Sequence, residues 1–193
     1  MNPFIIFFAA ILTNNIALTY FLGMCPFIAV SKDIKTAYGM GMAVIFVMSL
    51  TALFAWPVYH YLLVPHNLQY LQLVSFIVII AALVQIVEMV IERFTPTLYI
   101  NMGVFLPLIT VNCAILGLAL FMILRDYSFI QSMAYAIGSG IGWLVVIMAM
   151  AGIRTKLQFA KVPKALEGPG ITMIVAGLMA LGFMGFAGIV NLQ

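Results

Sequence analysis

The chain has 193 residues, of which 66% are hydrophobic and only 7% are charged. A soluble domain is about half apolar and about a quarter charged. This composition, with a mean hydropathy of +1.23, therefore excludes a water-soluble globule. The net charge of +3 is distributed over the connectors between apolar runs, where it orients helices rather than forming a nucleic-acid surface.

Six segments reach the roughly 20 apolar residues that a spanning helix needs. In chain order they are residues 3–30, 38–64, 68–91, 98–124, 129–153 and 170–192. Their apolar runs are continuous and lack the alternation of a barrel strand, so the expected fold class is an all-α integral membrane protein. The first segment has no basic stretch before it and too long an apolar run for a cleavable signal.

The connectors carry the orientation signal. "SKDIKTAYG" holds Lys32 and Lys35, "HNLQY" has no Lys or Arg, and "ERFTPT" follows with Arg93. "RDYS" contributes Arg125, and "RTKLQFAKVPKALEGPG" holds Arg154, Lys156, Lys161 and Lys164. With six spans, the odd connectors share one face and collect seven basic residues, leaving Arg125 alone on the other. The positive-inside rule then puts the odd connectors in the cytoplasm and both termini outside it. Residues 1–193 form one membrane domain of two three-helix halves, 1–97 and 98–193. These enter the bilayer in opposite directions, as inverted repeats would.

The two cysteines fall in corresponding spans, the first and the fourth. Cys25 lies in "FLGMCPFIAV" with Gly23 and Pro26 beside it, and Cys113 lies in "LPLITVNCAILG", surrounded by Gly103, Pro107 and Gly117. Both spans are expected to be interrupted there. A broken helix in lipid exposes backbone N–H groups and a positive helix end, which suit a thiolate or an anionic group. Asn14, Asn15 and Asn112 bring amides to the same depth, where an unsatisfied amide is costly. Gly23, Pro26 and Asn112 are thus candidates to support a site at the thiols.

The plainer alternative is that both thiols are small packing residues and the amides are helix–helix hydrogen bonds. Two thiolates do not complete a zinc or iron–sulfur site, which takes four ligands. His60 and His66 lie near the outward connector, away from mid-membrane. A metal at Cys25 and Cys113 would therefore need two ligands from a homologous chain packed about a pseudo-two-fold axis.

Glu88 and Glu92, in "VEMVIERF", are the acidic residues of the third span, near its cytoplasmic end. Ionisable groups in a membrane are functional candidates. Glu88 is read either as a partner of Arg93 or a loop lysine, or as part of a cation path. Arg125 and Asp126 are expected to form a solvated pair. "GLMALGFMGFAG", with Gly177, Gly182, Gly185 and Gly188, reads as an intersubunit contact or an internal packing seam. Gly138, Gly140 and Gly142 in "IGSGIGW" follow no strand, so they are not a nucleotide-binding signature.

Nearly the whole chain carries a resemblance. "NNIALTYFLGMCPFIAVSK", "IIAALVQIVEMVIERFTPTLY", "GVFLPLITVNCAILG" and "GLMALGFMGFAG" resemble the six-helix membrane subunits of two related ion pumps. These are Rnf, the ion-translocating ferredoxin:NAD oxidoreductase, and the sodium-translocating NADH:quinone reductase. "NNIAL", "FLGMCPF" and the short "PVYHYLLVPHNLQYL" connector resemble the A-type subunit of Rnf, the favoured match. "VEMVIERF", "LITVNCAI" and "RDYSF" read closer to the E-type subunit of the quinone reductase.

The resemblance implies two inverted, homologous subunits in the bacterial inner membrane that share one intramembrane 2Fe-2S cluster. Cys25 and Cys113 would be this chain's ligands, and the E-type subunit of Rnf the partner. It implies an electron-transfer subunit of an oxidoreductase and translocase, without an NADH site of its own. From the residues alone, a secondary transporter with inverted repeats and broken helices is the competing reading, and a structural scaffold is a third.

Overall fold

A computed structural model describes residues 2–94, 107–157, 159 and 168–185. Among them all regular structure is helical: α1 (Pro3–Ile11), α2 (Ile16–Thr19), α3 (Met24–Val30), α4 (Ile34–Pro57), α5 (Gln72–Phe94), α6 (Pro107–Thr110), α7 (Cys113–Leu124), α8 (Phe129–Leu157) and α9 (Pro169–Met184). Three helical stretches are long and apolar enough to cross a bilayer: Ile34–Leu63, Gln69–Val90 and Phe129–Leu157. They coincide with the second, third and fifth expected spans. The expected boundary between the halves, at residues 97 and 98, lies outside the described residues, as does Gly103.

Local chemistry explains where the helices start and stop. Asp33 caps α4, accepting from the Thr36 hydroxyl at 2.9 Å and the Thr36 N–H at 3.4 Å. Pro57 ends α4 because it has no N–H to donate back, and the chain relaxes into a π-helical turn over Val58–Leu63. The Gln131 side chain accepts from the Ser128 N–H at 3.0 Å, half of a capping box that opens α8. Pro169 occupies the first turn of α9, where a missing N–H costs nothing.

The first segment is three short helices rather than one. Thr13 Oγ1 donates to the Ala9 carbonyl at 3.1 Å, and Asn15 Nδ2 donates to the Ile11 carbonyl at 3.1 Å. Both close the end of α1. Asn15 Oδ1 then accepts from the Ala17 N–H at 3.0 Å and opens α2. One residue thus ends a helix and begins the next, supplying partners to backbone groups that could not find water in an apolar setting. A second corner follows at Tyr20–Gly23, with φ of +53° at Phe21 and +80° at Gly23. A bulky residue at positive φ costs roughly 1–2 kcal/mol, so this corner is held by its surroundings.

Helix α8 is the hub. It packs along α4 and α1 and also touches α2, α7 and α9. The glycines of "IGSGIGW" make that possible. A Cβ at Gly138 would sit 2.7 Å from the Phe7 carbonyl oxygen, and one at Gly140 would sit 3.0 Å from Ile45 Cα. They are contact points for α1 and α4, in keeping with small-residue packing in lipid. The glycines of α9 behave differently. A Cβ at Gly177 or Gly182 would meet no atom within 4 Å, so the expected internal packing seam does not form at those positions. Gly188 lies outside the described residues.

Candidate functional site

The corner before α3 and the break before α7 meet. The Gly23 N–H donates to Cys113 Sγ at 2.9 Å, across 90 residues of sequence. Gly23 is required there twice over: by its φ of +80°, and by its neighbours. A Cβ on it would stand 2.9 Å from Trp143 Nε1, 3.0 Å from Ala114 Cβ and 3.1 Å from Asn112 Oδ1. Leu22, next to it, fits over Gly117, where a Cβ would lie 2.5 Å from Leu22 Cδ1. Gly117 is therefore a packing position inside α7 and not part of the break.

The break itself is made by Asn112. Its Oδ1 accepts from the Ala114 N–H at 3.0 Å and starts α7, so Cys113 is the first residue of that helix. Negative charge is favoured at a helix's first turn, and thiolate is the form that ligates metals. The Nδ2 of Asn112 is buried and has no hydrogen-bond partner among the described residues, and the same is true of Trp143 Nε1. A buried donor left unpaired costs roughly 1–3 kcal/mol. Asn112 directly precedes Cys113, and Trp143 Nε1 lies 2.9 Å from where a Cβ of Gly23 would be, so both orphaned donors sit on residues around the Gly23–Cys113 contact.

Cys25 lies in the first turn of α3 and is exposed, whereas Cys113 is half-buried. Pro26 is buried in the same turn and causes no break. A cleft of about 230 Å³ opens beside Cys113, lined also by Ile77, Ile80, Thr110, Val111, Asn112 and Leu116. No three His, Cys, Asp or Glu side chains gather among the described residues. A metal group here would have the thiols of this chain as ligands and would need the rest from another. With that condition the surroundings fit a metal–sulfur group: two thiols, N–H donors without acceptors, and a glycine cradle with no room for a Cβ.

Other side chains hold the corner in place. Arg154, at the far end of α8, donates through Nη1 to the Ile28 carbonyl and to Ser31 Oγ, both at 2.8 Å. This secures the last turn of α3, which carries Cys25. Arg125 donates to the Tyr20 hydroxyl at 3.2 Å and the Tyr127 hydroxyl at 3.3 Å, and its guanidinium lies over the Phe121 and Tyr135 rings. These aromatic groups, rather than the expected partner Asp126, hold the guanidinium. His60 stacks on Trp56 at 4.2 Å and is exposed, and His66 is exposed in the following turn. Glu88 is half-buried on α5 and forms no ion pair among the described residues.

Of the residues singled out in the sequence, Gly23, Asn112 and Cys113 come together, with Cys25 two residues beyond Gly23. Glu88 does not join them. Trp143 is the member of the site that sequence reasoning missed. A signal for it exists: tryptophan usually anchors at a membrane interface, and Trp143 sits fully buried in the middle of a glycine-rich span. The other tryptophan, Trp56, follows the usual habit at a helix end and donates to the Tyr127 carbonyl at 2.9 Å.

Comparison with known proteins places this arrangement among its relatives. Residues 4–190 match the family model described as Rnf-Nqr subunit, membrane protein. The chain is 51% identical to the E-type subunit of the Na(+)-translocating NADH-quinone reductase of Nitrosomonas europaea, over 95% of this chain and 96% of that one. It is 48% identical to the A-type subunit of the ion-translocating oxidoreductase complex of Syntrophotalea carbinolica, over 98% of both chains. It is 52% identical to the E-type reductase subunit of Aeromonas hydrophila, over 93% of this chain and 94% of that one.

Proposed function

Because the chain belongs to the Rnf-Nqr family of membrane subunits, we propose that it is an electron-transfer subunit of a redox-driven sodium or proton pump. Cys25 and Cys113 supply two of the four ligands of an intramembrane 2Fe-2S cluster. A homologous subunit, inverted about a pseudo-two-fold axis, supplies the other two. The observation that carries this reading is the 2.9 Å hydrogen bond from the Gly23 N–H to Cys113 Sγ. It joins the two cysteine-bearing breaks, although they are far apart in sequence.

The chain's own residues bind and shield. Gly23 places an N–H on the sulfur and leaves room at the break. Asn112 starts α7 so that Cys113 occupies its first turn. Arg154 fixes the end of α3, and the apolar cleft wall of Ile77, Ile80 and Leu116 keeps water away. One-electron acceptance and release is the chemistry such a cluster supplies, and it divides a transfer across the bilayer into shorter steps. The chain has no catalytic role of its own in this reading.

We place the chain in the Rnf complex as its A-type subunit, beside the E-type one. Support comes from its coverage of 98% of both chains against the oxidoreductase relative of Syntrophotalea carbinolica and from the short turn after Leu63. The identities of 51% and 52% to the E-type reductase subunits favour the second reading, membership of the NADH:quinone reductase. In either complex the basic connectors face the cytoplasm and both termini lie outside it. The halves 1–97 and 98–193 act as inverted repeats. Supporting this, α2 of the first half packs on α9 of the second, while α7 of the second packs on α5 of the first.

The test is electron paramagnetic resonance on the intact complex, reduced first with ferredoxin and then with NADH. A 2Fe-2S signal assigned to this chain supports the ligand reading, and the donor that elicits it separates the two complexes. An intact complex that moves cations normally and holds no iron at this chain returns the thiols to packing and leaves the transporter reading.

A further inference from the structure

We propose that the amide nitrogen of Asn112 and the indole nitrogen of Trp143 are hydrogen-bond donors to the metal–sulfur group at Cys113, and that they raise its reduction potential. This rests on the reading that Cys25 and Cys113 bind such a group.

One N–H donor is on the sulfur, and two more without partners among the described residues belong to side chains next to that contact. The Gly23 N–H is on Cys113 Sγ itself at 2.9 Å. Asn112 Oδ1 accepts from the Ala114 N–H, which fixes the orientation of the amide and leaves Nδ2 without a partner among the described residues. The indole nitrogen lies beside the same glycine, 2.9 Å from where a Cβ of Gly23 would be. Asn112 and Trp143 are nearly or fully inaccessible, at 2% and 0% exposure, so bulk water does not satisfy them. Asn112 also borders the cleft beside Cys113, whose other walls, Thr110 apart, are apolar.

Such a donor-rich, acceptor-poor setting favours added negative charge. Reduction puts one electron on the metal–sulfur group and increases the charge on its sulfurs. N–H groups in a low-dielectric interior stabilise that state more than the oxidised one. Sulfur is the acceptor that the two orphaned nitrogens lack. Removing either donor therefore makes the group harder to reduce, without removing a ligand.

Three variants of the intact complex test this, each followed by a redox titration of the cluster signal. Asn112→Ser keeps an oxygen to cap α7 and loses the amide donor. Trp143→Phe keeps an aromatic ring and loses the N–H. Asn15→Ser makes the same cap change away from the sulfur. The expected result is full cluster content in all three, with a lower potential in the first two and no change in the third. Combined, the two donor losses are expected to cut the reduced-to-oxidised ratio at fixed potential about tenfold, which is about 59 mV for one electron.

Wild-type complex labelled with 15N at tryptophan and asparagine gives a second readout that needs no substitution. Pulsed magnetic resonance on the reduced cluster is expected to resolve weakly coupled indole and amide nitrogens. An intact cluster with unmoved potentials, or one with no such couplings, overturns the inference and leaves the ligand reading standing. A wild-type complex without the cluster overturns both.

Discussion

Asn15 and Asn112 perform the same local task with different outcomes. Each sits in a break, and each lends its Oδ1 to the N–H two residues on, at 3.0 Å, to start a helix. Asn15 is then complete, because its Nδ2 donates to the Ile11 carbonyl at 3.1 Å. Asn112 is not, because its Nδ2 has no partner among the described residues. The first break joins α1 to α2 and does nothing more. The second stands next to Cys113 and leaves a buried donor with its bonding capacity unmet. The first break is satisfied within the chain, and on the proposed function the second is where a donor is left for the metal–sulfur group.

The largest expected effect tests the sulfur side of that contrast. Cys25→Ser is expected to reduce electron transfer through the complex to background while leaving the chain assembled with its partners, measured by the stopped-flow rate of electron transfer through the intact complex. Unchanged rates would remove Cys25 from the ligand set.

Gly23→Ala comes next, since it strikes the glycine joining the two breaks. The strained φ and the close contacts with Trp143, Ala114 and Asn112 together are expected to cost about 1–3 kcal/mol. The expected readouts are a lower thermal midpoint for the detergent-solubilised complex and a partial loss of iron. A variant as stable as wild type would mean that the corner is not held as described.

Arg154→Met is expected to be milder. It removes the donors to Ile28 and Ser31 at the end of α3, and charged hydrogen bonds contribute roughly 1.5–3 kcal/mol when well formed. Faster hydrogen exchange confined to residues 24–31 would bear out its anchoring role. Unchanged exchange there would contradict it.

Asn15→Ala is expected to cost about 1 kcal/mol through loss of the cap. It should leave the cluster signal untouched, in contrast to changes at Asn112. Asp33 is the smallest case. The Thr36 hydroxyl is the main group holding its carboxyl below the ordinary value of 3.8. That contribution is present above the unfolded value and is lost as pH falls through the lower folded one. Asp33→Asn should flatten any acid-side loss of stability in that window, read from thermal midpoints at graded pH.

Much of this is legible in the sequence. Continuous apolar runs locate the three long helices, because burial in lipid requires length and little else. The interruption of the first and fourth segments is also legible, as is the part Gly23 plays in it, but the part of the asparagines is not. Glycine and proline are the residues that sequence reasoning blames, whereas Asn15 and Asn112 make two of the breaks, and Pro26 and Gly117 lie within helices. An asparagine reads as a polar residue in lipid; only its partners reveal a cap. The meeting of Gly23 with Cys113 depends on how two breaks pack against α8, which no local pattern encodes. Trp143 escapes the sequence for the same reason, and at Gly177 and Gly182 the internal seam, one of the two readings of the α9 glycines, does not form because small residues permit contact without requiring it.

The most direct measurement is iron and acid-labile sulfide per intact complex, wild type against Cys113→Ser. The account predicts that the variant assembles and holds one 2Fe-2S cluster's worth of iron and sulfide less than wild type. Equal iron and sulfide in the two would contradict it, since Cys113 could then not be a ligand.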